Sequence, residues 1–138
     1  MRRILPEEMH HAEIKRVIDV LVSRGDTVAI TPQVLVEFQA LATRPKEANG
    51  LGMMPLEANQ QSRYMEERFE MLVETPLVYT RWRDLMERYE VRGRQVYDAR
   101  LVAVMLTHEV ECLLTGNASH FRRYSEITVI DPHNTEVS

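Results

Sequence analysis

Apolar residues recur at helical spacing in the opening third of the chain. Ile14, Val17, Ile18 and Leu21 share one face, which predicts a first helix over residues 8–23. Gly25-Asp26 breaks that pattern, and Thr27-Val28-Ala29-Ile30 reads as a short buried strand. Thr31-Pro32 follows at once. A threonine at the cap with proline in the first turn is a strong helix start, because the helix leaves that N–H unpaired anyway. The same pair returns at Thr75-Pro76, opening a helix with an apolar stripe of Tyr79, Trp82, Leu85, Met86 and Tyr89.

Between the two starts, Arg44-Pro45 through Asn49-Gly50-Leu51-Gly52 has the turn residues of a loop, and a mostly polar helix begins at Pro55. After Gly93 the pattern predicts a helix over residues 96–108 and a buried strand at Cys112-Leu113-Leu114-Thr115. A short helix near residues 118–124 then leads to a last strand, Ile127-Thr128-Val129-Ile130, stopped by Asp131-Pro132. Helices alternating with short strands predict an α/β fold with a mainly parallel sheet. Active sites of such sheets lie at the carboxyl ends of the strands, which points to Thr31 onward, Thr115-Gly116-Asn117 and Asp131.

Composition narrows the picture. The 138 residues make one domain's worth of chain, residues 1–138, with no repeat or linker. Hydrophobic residues are 44% and charged ones 28%, an ordinary globular balance. No apolar run approaches the roughly 20 residues that span a bilayer, and the opening MRRILPEEMHH offers no long apolar signal region. The expectation is a cytoplasmic protein with no membrane contact. Cys112 is the single cysteine, which excludes a disulfide framework and any multi-cysteine zinc site. Seventeen basic against 21 acidic residues give a net charge of −4, so nucleic acid would have to be gripped by a local basic patch.

Glu37 is the most informative residue. It is the one charge within Thr31–Thr43, among Val34, Leu35, Val36, Phe38, Ala40, Leu41 and Ala42, a pattern that predicts a helix buried on nearly every side. A carboxylate there needs a partner: an arginine such as Arg44 or Arg100, another donor, or a metal. Asp98 opens the next helix, where a carboxylate stabilises the helix dipole by roughly 0.3–1 kcal/mol with no other role; alternatively it faces the same cleft as Glu37. Asn117 directly follows a strand, as a turn residue or as a neutral oxygen ligand.

Together these segments resemble the PIN domain, the fold of the VapC-type toxin ribonucleases of bacterial toxin–antitoxin pairs. Thr31-Pro32-Gln33-Val34-Leu35-Val36-Glu37-Phe38 is similar to the family segment that carries an acid on the second helix. Ala42-Thr43-Arg44-Pro45 with Asn49-Gly50-Leu51-Gly52 resembles a loop of one PIN subgroup. Val96-Tyr97-Asp98-Ala99-Arg100-Leu101 resembles the family's HDARL-like segment, with Tyr97 where histidine is common. Leu113-Leu114-Thr115-Gly116-Asn117 with Phe121 is similar to its LLTxN/D segment, and Ile127–Pro132 to its closing strand. The resemblance implies a three-layer fold and a metal-dependent endoribonuclease, toxin-like, in which Glu37, Asp98 and Asn117 are catalytic and hold Mg²⁺ or Mn²⁺ while Thr115 supports their loop. It implies RNA as substrate, an antitoxin protein as partner and a homodimer as assembly.

The family opens with a strand ending in an Asp-Thr-Asn-like segment whose aspartate is a principal metal ligand. Here Met1 to Glu8 looks like the stretch after that segment, so the first strand is expected to be missing. Two explanations compete: a start at an internal Met, with the strand encoded upstream, or a shortened variant with a crippled site. Two carboxylates with a neutral Asn117 predict weak Mg²⁺ binding and impaired cleavage, with Glu7, Glu8 and Asp19 poor substitutes on a solvated stretch. The alternative is a degenerate PIN domain that binds RNA or a partner protein without cutting. A nucleotide-binding module is set aside for want of a Gly-rich or Walker-type loop. Arg92, Arg94, Arg100, Arg122 and Arg123 flank the site segments as an RNA-guiding rim or as scattered solvated charges. His10, His11, His108, His120 and His133 show no metal-binding spacing, with only His120 lying close to Asn117.

Overall fold

The computed structural model describes residues 2–4, 16, 19–115 and 117–131. Five parallel strands form one sheet: β1 (Arg2–Ile4), β2 (Thr27–Ile30), β3 (Glu70–Met71), β4 (Cys112–Leu114) and β5 (Thr128–Ile130), ordered β3-β2-β1-β4-β5. Residue 16 is helical, and the helical residues 19–23 are labelled α1. Four longer helices follow: α2 (Pro32–Thr43), α3 (Pro55–Arg68), α4 (Pro76–Tyr89) and α5 (Gln95–Thr107).

Strand alternation builds the three layers, since successive side chains point to opposite faces. On β2, Val28 and Ile30 join Leu21, Val34 and Leu35 on one face, with Met65 and Phe69 of the α3 end packed against them. Ala29 points the other way, into a core of Val78, Leu85 and the buried face of α5 from Ala99 to Met105. On β4, Leu113 joins the α4/α5 side and Leu114 the α2/α3 side. Cys112 is a buried thiol in that strand. Among the described residues, no helix is long and apolar enough to cross a membrane.

The start of the chain departs from expectation. Arg2–Ile4 forms a strand, and it takes the central place, pairing with β2 on one side and β4 on the other. Without it, the two half-sheets would each present a row of unpaired N–H and C=O groups in the middle of the fold. Backbone pairing fills that gap whatever the side chains are, so an Arg-Arg-Ile triplet with no strand-like pattern is recruited. What β1 does not bring is an acid: residues 2–5 read Arg-Arg-Ile-Leu. Glu7, Glu8, His10, His11, Ile14, Val17, Ile18, Gly116, Pro132 and His133 lie outside the described residues, and Asp19 is exposed.

Helix α2 also corrects the sequence reading. It starts as expected, with the Thr31 hydroxyl accepting from the Val34 N–H at 3.3 Å. Yet it is buried on one side only: Val34, Leu35 and Ala42 are covered, whereas Val36 is 61% exposed and Ala40 and Leu41 face outward. Val34 and Leu35 pack with Val28 and Ile30 of β2, and the side carrying Val36 is left exposed. The helix has a polar contact with α3 through Gln39, which donates to Asn59 and accepts from Ser62 at 2.7 Å each.

After α2 the chain turns back on the helix end: Leu51, Gly52 and Met53 donate to the carbonyls of Leu41, Arg44 and Ala42. Gly50 is needed there, because a Cβ would lie 2.0 Å from the Arg44 oxygen. The strand β3 that follows α3 was not expected, being only two residues long. The region expected as a short helix near 118–124 is a 3-10 turn at Ala118–His120 followed by turns.

Candidate functional site

A cleft of about 550 Å³ opens at the carboxyl ends of the strands, the position that the topology of open α/β sheets favours. Thr31 reaches it just past β2, Glu74 past β3, and Thr115 and Asn117 past β4. Asp131, past β5, is not among its lining residues. The first turn of α5 supplies Gln95, Tyr97 and Asp98, and the first turns of α2 supply Gln33 and Glu37. Residues 61 positions apart in the sequence, Glu37 and Asp98, therefore line one cavity.

Glu37 is half-buried rather than engulfed, and its partner is not an arginine. Gln33, one turn earlier, donates from Nε2 to Glu37 Oε1 at 2.9 Å. Among the described residues no ion pair of Glu37 is found, and Arg100 is instead bonded to Glu74. Neutral donation steadies the carboxylate without cancelling its charge, leaving Oε2 for a ligand.

Asp98 is half-buried, with its Oδ2 3.7 Å from Nδ1 of His120. That spacing is too long for a hydrogen bond and becomes an ion pair only when the imidazole is protonated. Asn117 lies at the surface of the cleft, and its N–H donates to the Thr115 hydroxyl at 3.0 Å. Thr115 is itself buried, so this contact anchors the turn that carries Asn117 to the end of β4.

Among the described residues no cluster of three or more His, Cys, Asp or Glu is placed to hold a metal ion. The cleft's carboxylates are Glu37, Asp98 and the arginine-bonded Glu74, and the amides of Gln33, Gln95 and Asn117 and the hydroxyls of Thr31, Tyr97 and Thr115 supply neutral oxygens. An all-oxygen set with few acids suits a hard ion that keeps several waters and takes others from substrate phosphate, which describes Mg²⁺.

Of the five arginines singled out from the sequence, Arg94 and Arg100 line the cleft, and Arg92, Arg122 and Arg123 do not. Arg100 is occupied by Glu74, and Arg123 donates to Gln95. Arg94 stands exposed on the rim, with no ion pair among the described residues. Gln33, Glu74 and Gln95 were not anticipated. Gln33 was detectable as a polar residue four before Glu37 on the same face; Glu74 follows a strand too short to leave a pattern.

Comparison with known proteins agrees with this architecture. The PIN domain family model matches residues 3–127. No curated protein matches the sequence. Among solved structures the chain is similar to VapBC-1 from nontypeable Haemophilus influenzae, at 17% identity and a TM-score of 0.68, over 96% of this chain and 99% of that one. It is similar to VapBC2 from Rickettsia felis, solved bound to a DNA fragment from their promoter, at 16% identity and a TM-score of 0.66, over 94% and 98%. FitAcB from Neisseria gonorrhoeae follows at 14% identity and a TM-score of 0.60, over 95% and 98%. At such identities the likeness is one of fold.

Proposed function

The chain belongs to the PIN-domain family, and from that premise we propose that it is a metal-dependent endoribonuclease of the toxin type, working in the cytoplasm and held in check by an antitoxin protein. The observation that carries the reading is the shared cleft of Glu37 and Asp98. Glu37, Asp98 and Asn117 would hold Mg²⁺ or Mn²⁺, the first two with charge and the third with a neutral oxygen. When bound, such an ion neutralises charge at a phosphodiester and lowers the pKa of an attacking water.

The protein's own groups do the rest. Gln33 fixes the Glu37 carboxylate, and Thr115 fixes the turn of Asn117. Arg94 draws the RNA backbone to the rim, while Glu74 tempers Arg100. RNA as substrate, an antitoxin as partner and a second copy as dimer mate are parts of this proposal. The exposed apolar face of α2 at Val36, Ala40 and Leu41 supports a protein partner.

A second reading has its own support: of the three acids lining the cleft, Glu74 is bonded to Arg100, and with only Glu37 and Asp98 left for a metal the domain would bind RNA or a partner and not cut. Incubating RNA with the protein in Mg²⁺ or Mn²⁺, beside Asp98→Asn, separates the two. Metal-dependent cleavage that is slow and lost in Asp98→Asn supports the enzyme. Intact RNA that is nevertheless retained by the protein supports the binder, and cleavage surviving Asp98→Asn rules this site out as its source.

A further inference from the structure

Four of the five tyrosines have a ring neighbour. Arg68 lies over Tyr64 at 4.1 Å and Arg83 over Tyr79 at 5.7 Å. Tyr89 and Tyr124 meet edge to face at 5.0 Å. The fifth, Tyr97, is 69% exposed, with no ring contact or hydrogen bond of its side chain among the described residues. It is also the one tyrosine that lines the cleft, one residue before Asp98.

The backbone beneath the ring is held firmly. Trp82 Nε1 donates to the Val96 carbonyl at 2.9 Å, tying this turn to α4. The Tyr97 N–H donates to the Arg94 carbonyl at 3.1 Å, and Arg123 secures the Gln95 side chain. An exposed aromatic ring on a rigid turn, without a ring partner among the described residues and lining the same cleft as the exposed cation of Arg94, matches what single strands require. A ring takes the flat face of an unstacked base while a cation takes the backbone.

We propose that the Tyr97 ring is the stacking platform for one base of the RNA strand crossing the cleft. This rests on the reading of the cleft as an RNA site and adds the residue that grips a base. Stacking is contact between faces, so it depends on the ring and not on the phenol hydroxyl, and it tolerates any base.

The test is the anisotropy of a labelled single-stranded RNA octamer titrated with protein in EDTA, where no metal supports cutting. Tyr97→Ala is expected to weaken binding about tenfold, and Tyr97→Phe, which keeps the ring, to retain the affinity. An octamer with abasic units is expected to bind wild type and Tyr97→Ala equally. Wild-type affinity in Tyr97→Ala overturns the proposal, as does a loss in Tyr97→Phe as large as that in Tyr97→Ala. Unchanged RNA binding with an altered oligomeric state in Tyr97→Ala also overturns it, by assigning the ring to a protein interface. Ring-dependent binding by a protein that never cleaves RNA sustains this inference and removes the nuclease reading.

Discussion

Gln33 and Glu37 stand one turn apart on α2, joined by a 2.9 Å hydrogen bond on the wall of the cleft that also holds Asp98. The bond fixes one carboxylate oxygen and leaves the other for a cation. Groups that orient a ligand in this way typically change metal affinity 10–100-fold when removed. Gln33→Leu is therefore expected to weaken Mn²⁺ binding by at least about tenfold in a calorimetric titration. Its melting temperature should hardly move, since Gln33 is a half-exposed helix residue with no core contact to lose. Equal affinity in the variant would show that Glu37 needs no such support.

Glu74 and Arg100 both line the cleft and are bonded to one another. The carboxylate both neutralises the arginine and repels a phosphate backbone. Glu74→Gln is expected to tighten RNA several-fold at low salt and to steepen the salt dependence by about one counterion, the signature of one added phosphate contact. Anisotropy titrations across a range of KCl concentrations check this, and an unchanged slope would place Arg100 away from the RNA.

Tyr124 buries its hydroxyl at 2% exposure with no hydrogen-bond partner among the described residues. Burial pushes its phenol up to about 12, with Asp98 adding to the shift and Arg123 opposing it. The folded state thus holds this proton more tightly than the unfolded chain, whose tyrosine ionises near 10. The resulting stability is full below about pH 10 and is lost as pH climbs towards 12. Tyr124→Phe should remove that alkaline loss and, by deleting an unsatisfied buried hydroxyl, raise stability at pH 7 by about 1 kcal/mol. Denaturant melts at pH 7 and above pH 10 measure both effects.

Glu126 accepts from the Tyr89 hydroxyl and pairs with Arg88, clasping the end of α4 to the turn before β5. Burial pushes its carboxyl up, but the Tyr89 bond, its own backbone, Arg88 and Ser125 together hold it below the ordinary value. A lowered folded pKa means stability that is present above the unfolded value and lost as pH falls through the folded one. Glu126→Gln should accordingly lose stability at pH 7 and show a shallower decline below pH 5. Thermal melts across pH 3–7 read this directly.

Much of the architecture was legible because it is written in local chemistry. Thr31-Pro32 marks a helix start wherever it follows a strand, and unbroken apolar runs are enough to place Leu101–Met105 and Leu113-Leu114 inside. Strand β1 was not legible, since Arg2-Arg3-Ile4 has no strand pattern and is recruited by the unpaired backbone on both sides of it. The open face of α2 was hidden for a different reason: a run of apolar residues tells what a helix tolerates, not how many neighbours cover it.

The site divides along the same line. That Glu37 and Asp98 line one cleft could not be deduced from either helix alone, and the expectation came from the resemblance to a family. Which arginines serve the cleft depends on rivals such as Glu74 and Gln95, whose positions are set by tertiary packing.

The central claim is that Glu37 and Asp98 form one divalent-cation site with two charges. Titration of Mn²⁺ into wild type, Glu37→Gln, Asp98→Asn and the double variant tests it most directly. Weak binding of one ion, lost in either single variant and no further reduced in the double, is the predicted result, because two ligands of one ion act as a unit. Binding that survives both substitutions would contradict it.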